Sequence, residues 1–146
     1  MTVQNSEKMI RSIVRNEAGL YDVVYFYGNG KRIGTLLDEL TAELEKTEPD
    51  IRVFRTEAAS LHENWVRNLQ RGYKNRLPEC DLFVLENIQN VAGREYMEEE
   101  LYGIFDHFLE CHRRLIITGN APTAQMLPLA ERIRAQIDGG VAFCLE

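Results

Sequence analysis

Apolar positions along the chain switch between two periods. Short strand-type runs, Val23-Val24-Tyr25-Phe26-Tyr27, Ile51 to Arg55, Leu82-Phe83-Val84-Leu85, Leu115-Ile116-Ile117 and Val141 to Leu145, alternate with stretches whose apolar residues recur three and four apart. Those stretches predict helices around Met9, Ile10, Ile13 and Val14, and around Leu36, Leu37, Leu40 and Leu44. A further helix is expected through Leu61, Trp65, Val66 and Leu69 towards Pro78, with Thr56 as its candidate cap. Met97 to Cys111, with Leu101, Ile104, Phe105 and Phe108 on one face, and Met126 to Ile137 complete the set. Gly28 to Gly34 reads as a loop, and Glu48-Pro49-Asp50 and Gly139-Gly140 as breaks. Strands alternating with helices build a parallel sheet covered on both faces, an α/β fold.

Composition narrows the class without changing that picture. The 146 residues suit a single domain over 1–146, and 45% apolar with 27% charged residues is close to the globular average. Seventeen Lys and Arg against 23 Asp and Glu give a net charge of −6, which weakens any general affinity for nucleic acid. No run approaches about 18 apolar residues and Met1 to Asn16 lacks an apolar signal centre, so a cytoplasmic protein without membrane contact is expected. Cys80, Cys111 and Cys144 show no CxxC spacing and are expected to be buried thiols. Only His107 and Cys111 have the spacing of two ligands on one helix face, and two ligands make no metal site. The triplet Glu98-Glu99-Glu100 reads as a solvated helix start, where carboxylates favour the dipole.

Chemistry is expected where a glycine-bearing loop joins an apolar strand to a helix, because backbone N–H groups converge there on phosphate. Tyr27-Gly28-Asn29-Gly30-Lys31-Arg32-Ile33-Gly34-Thr35 occupies that place. Laid without a gap on GxxxxGK(S/T), it keeps Gly28 and Thr35 but puts Ile33 at the second glycine and Gly34 at the lysine. Read without chemistry, the same segment is a plain strand-to-helix turn. The end of the third strand, Leu85-Glu86-Asn87, is the second place, where nucleotide hydrolases carry the acid that holds magnesium.

Three segments carry a specific likeness: Leu82-Phe83-Val84-Leu85-Glu86-Asn87-Ile88-Gln89, the following Asn90-Val91-Ala92-Gly93-Arg94-Glu95, and Leu115-Ile116-Ile117-Thr118-Gly119-Asn120-Ala121-Pro122. Together they resemble the AAA+ domain of the bacterial replication initiator DnaA and its relative Hda, over about Ser6 to Glu146. The resemblance implies a three-layer α/β/α P-loop NTPase-like domain whose five-stranded parallel sheet has the order 5-1-4-3-2. It also implies that the lid, the origin-binding domain and the adenine-pocket segment before Ser6 have no counterpart here. Carried over residue by residue, it argues against ATP hydrolysis. Gly34 stands for the phosphate lysine, Glu86 and Asn87 for the paired Walker B aspartates, Asn120 for the sensor acid, and Gln136, near Arg132 and Arg134, for the arginine finger. No cofactor is expected. Weak binding of ATP or ADP stays open, with Thr35 and Glu86 at magnesium and Lys31 or Arg32 near a phosphate.

Arg67, Arg71, Lys74 and Arg76 form a basic stretch without Asp or Glu, which reads either as a solvated face or, as the resemblance implies for the region around Arg67, as a contact with single-stranded DNA that the acidic net charge keeps weak. The expected function is a non-catalytic adaptor or regulator of replication initiation, working through contacts with the initiator or another AAA+ protein. A nucleotide-binding switch with weakened chemistry and a small single-stranded-DNA-binding module are the alternatives.

Overall fold

A computed structural model describes residues 22–61 and 80–146. Five strands, β1 (Val23–Gly28), β2 (Val53–Glu57), β3 (Leu82–Glu86), β4 (Arg114–Gly119) and β5 (Val141–Leu145), form one sheet in the order β2-β3-β4-β1-β5, the expected order read from its other edge. All four pairings are parallel, so every strand ends at the same edge. Helix α1 (Gly30–Thr47) covers one face, and α2 (Glu95–Glu110) and α3 (Glu131–Asp138) cover the other.

The period of two in the strands divides the core. Val24, Phe26, Val84 and Ile116 pack with Ile33, Leu36, Leu37, Leu40 and Leu44 of α1. Tyr25, Phe83, Leu85 and Ile117 point the other way, onto Leu101, Ile104, Phe105 and Phe108 of α2 and Ile133 and Ile137 of α3. Strands buried on both faces have to be apolar at consecutive positions, which is why they read as runs rather than alternations.

Several local expectations are corrected. The segment Gly28 to Gly34 is not a loop, because α1 begins at Gly30. Asn29 is extended, and its side chain accepts from the Lys31 and Arg32 N–H groups, so it caps the helix. Ile33 is then the first residue of the buried stripe. Thr56 stands not at a helix start but buried inside β2, paired in register with Leu85, and a 3₁₀ turn at Ala58–Ser60 follows. The helix expected from Met126 begins only at Glu131, since Pro128 cannot donate a helical hydrogen bond and residues 120–130 form a connection with one 3₁₀ turn, Thr123–Gln125, anchored by buried Met126 and Leu129. The helix around Met9 and the one through Trp65 lie outside the described residues.

Glu98 is the clearest correction to the surface reading. It is 5% exposed, and its Oε1 accepts from the N–H groups of Gly93 (3.3 Å) and Ala130 (3.0 Å). A carboxylate on one helix thereby satisfies the turn before α2 and the residue that opens α3. The cysteines divide as well: Cys80 is buried, while Cys111 and Cys144 are exposed. Burial pushes the Cys80 thiol up to about 11. Alkylation of the folded protein is expected to label Cys111 and Cys144 rapidly and Cys80 only after unfolding, read by intact mass. Native labelling of all three would contradict the packing of Cys80. Among the described residues no helix is long and apolar enough to cross a membrane, and no three His, Cys, Asp or Glu are grouped to hold a metal.

Candidate functional site

The shared strand edge holds a cleft of about 170 Å³, smaller than the ~300 Å³ at which ordinary small-molecule sites begin. Gly28, at the end of β1, and Gly30, Ile33 and Gly34, in the first turns of α1, line one side. Glu86, Asn87 and Gln89 come from the end of β3, and Thr118, Gly119 and Asn120 from the end of β4. Six of the eight residues read from the sequence as a nucleotide site, Gly28, Gly30, Gly34, Glu86, Asn87 and Asn120, are thus brought together. Lys31 and Thr35 are not among the lining residues: both are exposed, and the Thr35 hydroxyl donates to its own helix at Lys31 O (3.1 Å).

Gly28 ends β1 and Asn29 caps α1, so strand and helix are joined by a tight turn. Gly28 takes φ +113°, a left-handed conformation that suits glycine, and packs against the end of β5. The Asn29 N–H donates to Leu145 O at 2.6 Å. Its side chain holds the next two helical N–H groups, at 3.1 and 3.2 Å. Phosphate cradles depend on those donors being free. Here the chain itself has used them.

Glu86 is the charged side chain among the lining residues, and both its oxygens are engaged. Arg55, on β2, donates to them through Nε and Nη2 at 3.0 Å each, and through Nη1 to Asp38 of α1 at 2.6 Å. The Glu86 hydrogen bond, opposed by desolvation and reinforced by Asp38, raises the already high guanidinium pKa, so Arg55 stays charged. Asn87 sits at φ 61°, a left-handed residue that turns the chain away from the sheet. Its N–H donates to Thr118 Oγ1 (2.9 Å), its amide to Glu57 (2.8 Å), and its oxygen accepts from Gln89 (3.3 Å).

A magnesium-bound nucleotide needs free backbone donors, a lysine reaching the phosphates and a carboxylate or hydroxyl facing the ion. The residues present do not fit those demands. The finger region is likewise engaged elsewhere: Arg132 stacks 4.5 Å from the centre of the Tyr102 ring, Arg134 donates to Leu129 O, and Gln136 donates to Tyr102 O. None of these three lines the cleft. Arg67, Arg71, Lys74 and Arg76 lie outside the described residues.

Sequence reasoning missed Asn29, Arg55 and Asp38. The Asn29 cap was readable, since an Asn precedes a stripe that starts at Ile33. Arg55 was not readable, because its meeting with Glu86 depends on the β2–β3 register and its meeting with Asp38 on how α1 crosses the sheet.

Comparison with known proteins places these observations. The family profile for the bacterial DnaA ATPase domain matches residues 3–144. Among curated proteins, the chromosomal replication initiator protein DnaA of Corynebacterium aurimucosum is 23% identical over 89% of this chain, and that of Geobacter metallireducens is 27% identical over 89%. This chain spans 25% and 30% of those two proteins. Among solved structures, domain III of the Thermotoga maritima replication initiation protein DnaA superposes with a TM-score of 0.83 at 18% identity, covering all of this chain and 64% of that one. The DnaC helicase loader superposes at 0.76 and 16% identity, covering all of this chain and 92% of the loader.

Proposed function

Given that the chain belongs to the bacterial DnaA ATPase-domain family, we propose that it is a non-catalytic, DnaA-like adaptor or regulator in chromosomal replication initiation or its control, acting through protein contacts. The observation that carries this reading is the Gly28-Asn29 turn, where Leu145 O and the Asn29 side chain take up groups on which phosphate binding relies. The engagement of Glu86 by Arg55 supports it. Without a free phosphate cradle or finger, the fold keeps its shape while losing the means to turn over ATP. What remains to act is its surface. The partner proposed is another AAA+ replication protein, a class represented among the structural neighbours by DnaA and the DnaC helicase loader.

Purified protein is expected to release no phosphate from magnesium-ATP above a buffer blank. Millimolar ATP or ADP is expected to leave the melting temperature almost unchanged, since stabilisation follows RT ln(1 + [L]/Kd). Turnover that disappears in a Glu86→Gln variant would sink the proposal, and a nucleotide-induced rise of several degrees would favour a nucleotide-binding switch.

Weak contact with single-stranded DNA is the second reading, motivated by the run Arg67 to Arg76 without a carboxylate and by a neighbour solved as the initiator DnaA bound to AMPPCP and single-stranded DNA. Such binding is expected to fall with salt by a log–log slope of at most about 0.7 per neutralised phosphate, and to vanish when Arg67 and Arg71 are replaced by Ala. Binding that resists high salt would contradict this electrostatic account.

A further inference from the structure

We infer that the Arg55 guanidinium, seated between Asp38 and Glu86 beside the cleft, is what withholds Glu86 from a divalent ion. The inference deepens the non-catalytic reading above and rests on it. Three elements supply the parts: β2 brings Arg55, β3 brings Glu86 and α1 brings Asp38.

The register sets the arrangement. Glu57 lies opposite Glu86 and Arg55 opposite Val84, so two carboxylates are paired at the ends of adjacent strands with the arginine on the same face of β2 as Glu57. Glu57 is engaged by the Asn87 amide, which leaves Arg55 to meet Glu86. The guanidinium fork bonds both Glu86 oxygens while its remaining terminal nitrogen reaches Asp38. A planar fork on a carboxylate is among the strongest side-chain pairings, and a lysine could not reproduce it.

The Glu86 side chain is only 18% exposed and that of Arg55 29%, so the pair is partly screened from solvent. Asp38, at 71%, is the open side of the triad. Magnesium gives up its water reluctantly and is usually held by one or two carboxylates with waters completing the octahedron. To reach Glu86 it would have to displace a guanidinium already positioned by the fold. Remove that group and two carboxylates face each other across the space it filled, which is a minimal ligand set for magnesium or manganese.

The test is the melting temperature of the parent and of Arg55→Gln in millimolar magnesium or manganese chloride, each against sodium chloride of matched ionic strength. The parent is expected to melt at the same temperature in all three salts. Arg55→Gln is expected to melt lower without divalent ions and to rise by several degrees with manganese, and adding Glu86→Gln is expected to erase that rise. A divalent-specific shift in the parent, or a folded Arg55→Gln chain that ignores manganese, would overturn the inference. If Arg55→Gln is unfolded without the ion, recovery of its circular dichroism in manganese supports the inference and its absence overturns it. Metal is used alone here, so failure is separable from that of the non-catalytic reading, which is judged by nucleotide turnover.

Discussion

Replacing Gly28 with Ala is expected to destabilise the fold by about 3 to 5 kcal/mol, because two separate costs fall on one residue. Its φ of +113° is a conformation that L side chains rarely adopt, and holding one there costs about 1 to 3 kcal/mol. An added Cβ would also lie inside van der Waals contact with the Leu145 carbonyl oxygen. That contact cannot be relieved by turning a side chain, since the obstacle is the backbone of β5. The adjoining Asn29 N–H to Leu145 O bond would be strained by any retreat of the strand. Urea unfolding should show a lower midpoint with an unchanged slope. Gly103, in the interior of α2 with nothing near its missing Cβ, is the control: Ala there should raise stability by about 0.5 to 1 kcal/mol. Equal effects at the two positions would mean that the tight turn is not what the geometry says.

The second large effect is expected at Glu98. Its Oε1 holds the N–H groups of Gly93 and Ala130 in a nearly water-free setting. Glu98→Ala leaves two buried donors without a partner and opens a void, for an expected loss of about 2 to 4 kcal/mol. Glu98→Gln keeps an acceptor oxygen at the same reach and gives up only the charge, so its loss should be about 1 kcal/mol. The ratio of the two is the informative quantity. If Gln is as damaging as Ala, the role of Glu98 lies in its charge at the start of α2 rather than in the two hydrogen bonds.

The layered sheet was legible because strands buried on both faces have no polar positions to interrupt them. Leu82 to Leu85 and Leu115 to Ile117 could not have been solvated on either side, and the helical stripe of Leu36, Leu37, Leu40 and Leu44 had only the sheet to cover it. The ends of elements were less legible. Nothing in the spacing of Met126 and Leu129 separates an anchored loop from the first turn of a helix, since both place apolar residues three apart and both bury them. Glu98 looked solvated beside Glu99 and Glu100 because charge alone does not tell which face of a helix a carboxylate takes. It lies three residues before Leu101 and so on the buried face, and only the closeness of Gly93 and Ala130 gives that burial its hydrogen bonds.

By itself, then, the sequence determined the alternation of the described elements and where the cleft opens, with Gly28, Gly30, Gly34, Glu86, Asn87 and Asn120 among its lining, since a parallel sheet gathers its strand ends at one edge. It also held the cap at Asn29, a local matter of one side chain and the next two N–H groups. The tertiary structure alone decided what those residues are free to do. Leu145 closes on the turn after β1 because β5 is its neighbour, and Arg55 claims Glu86 because β2 lies beside β3 in one particular register. These contacts join residues 116 and 31 positions apart. Local pattern carries no information about such pairings, because they arise only when separate elements are packed against one another.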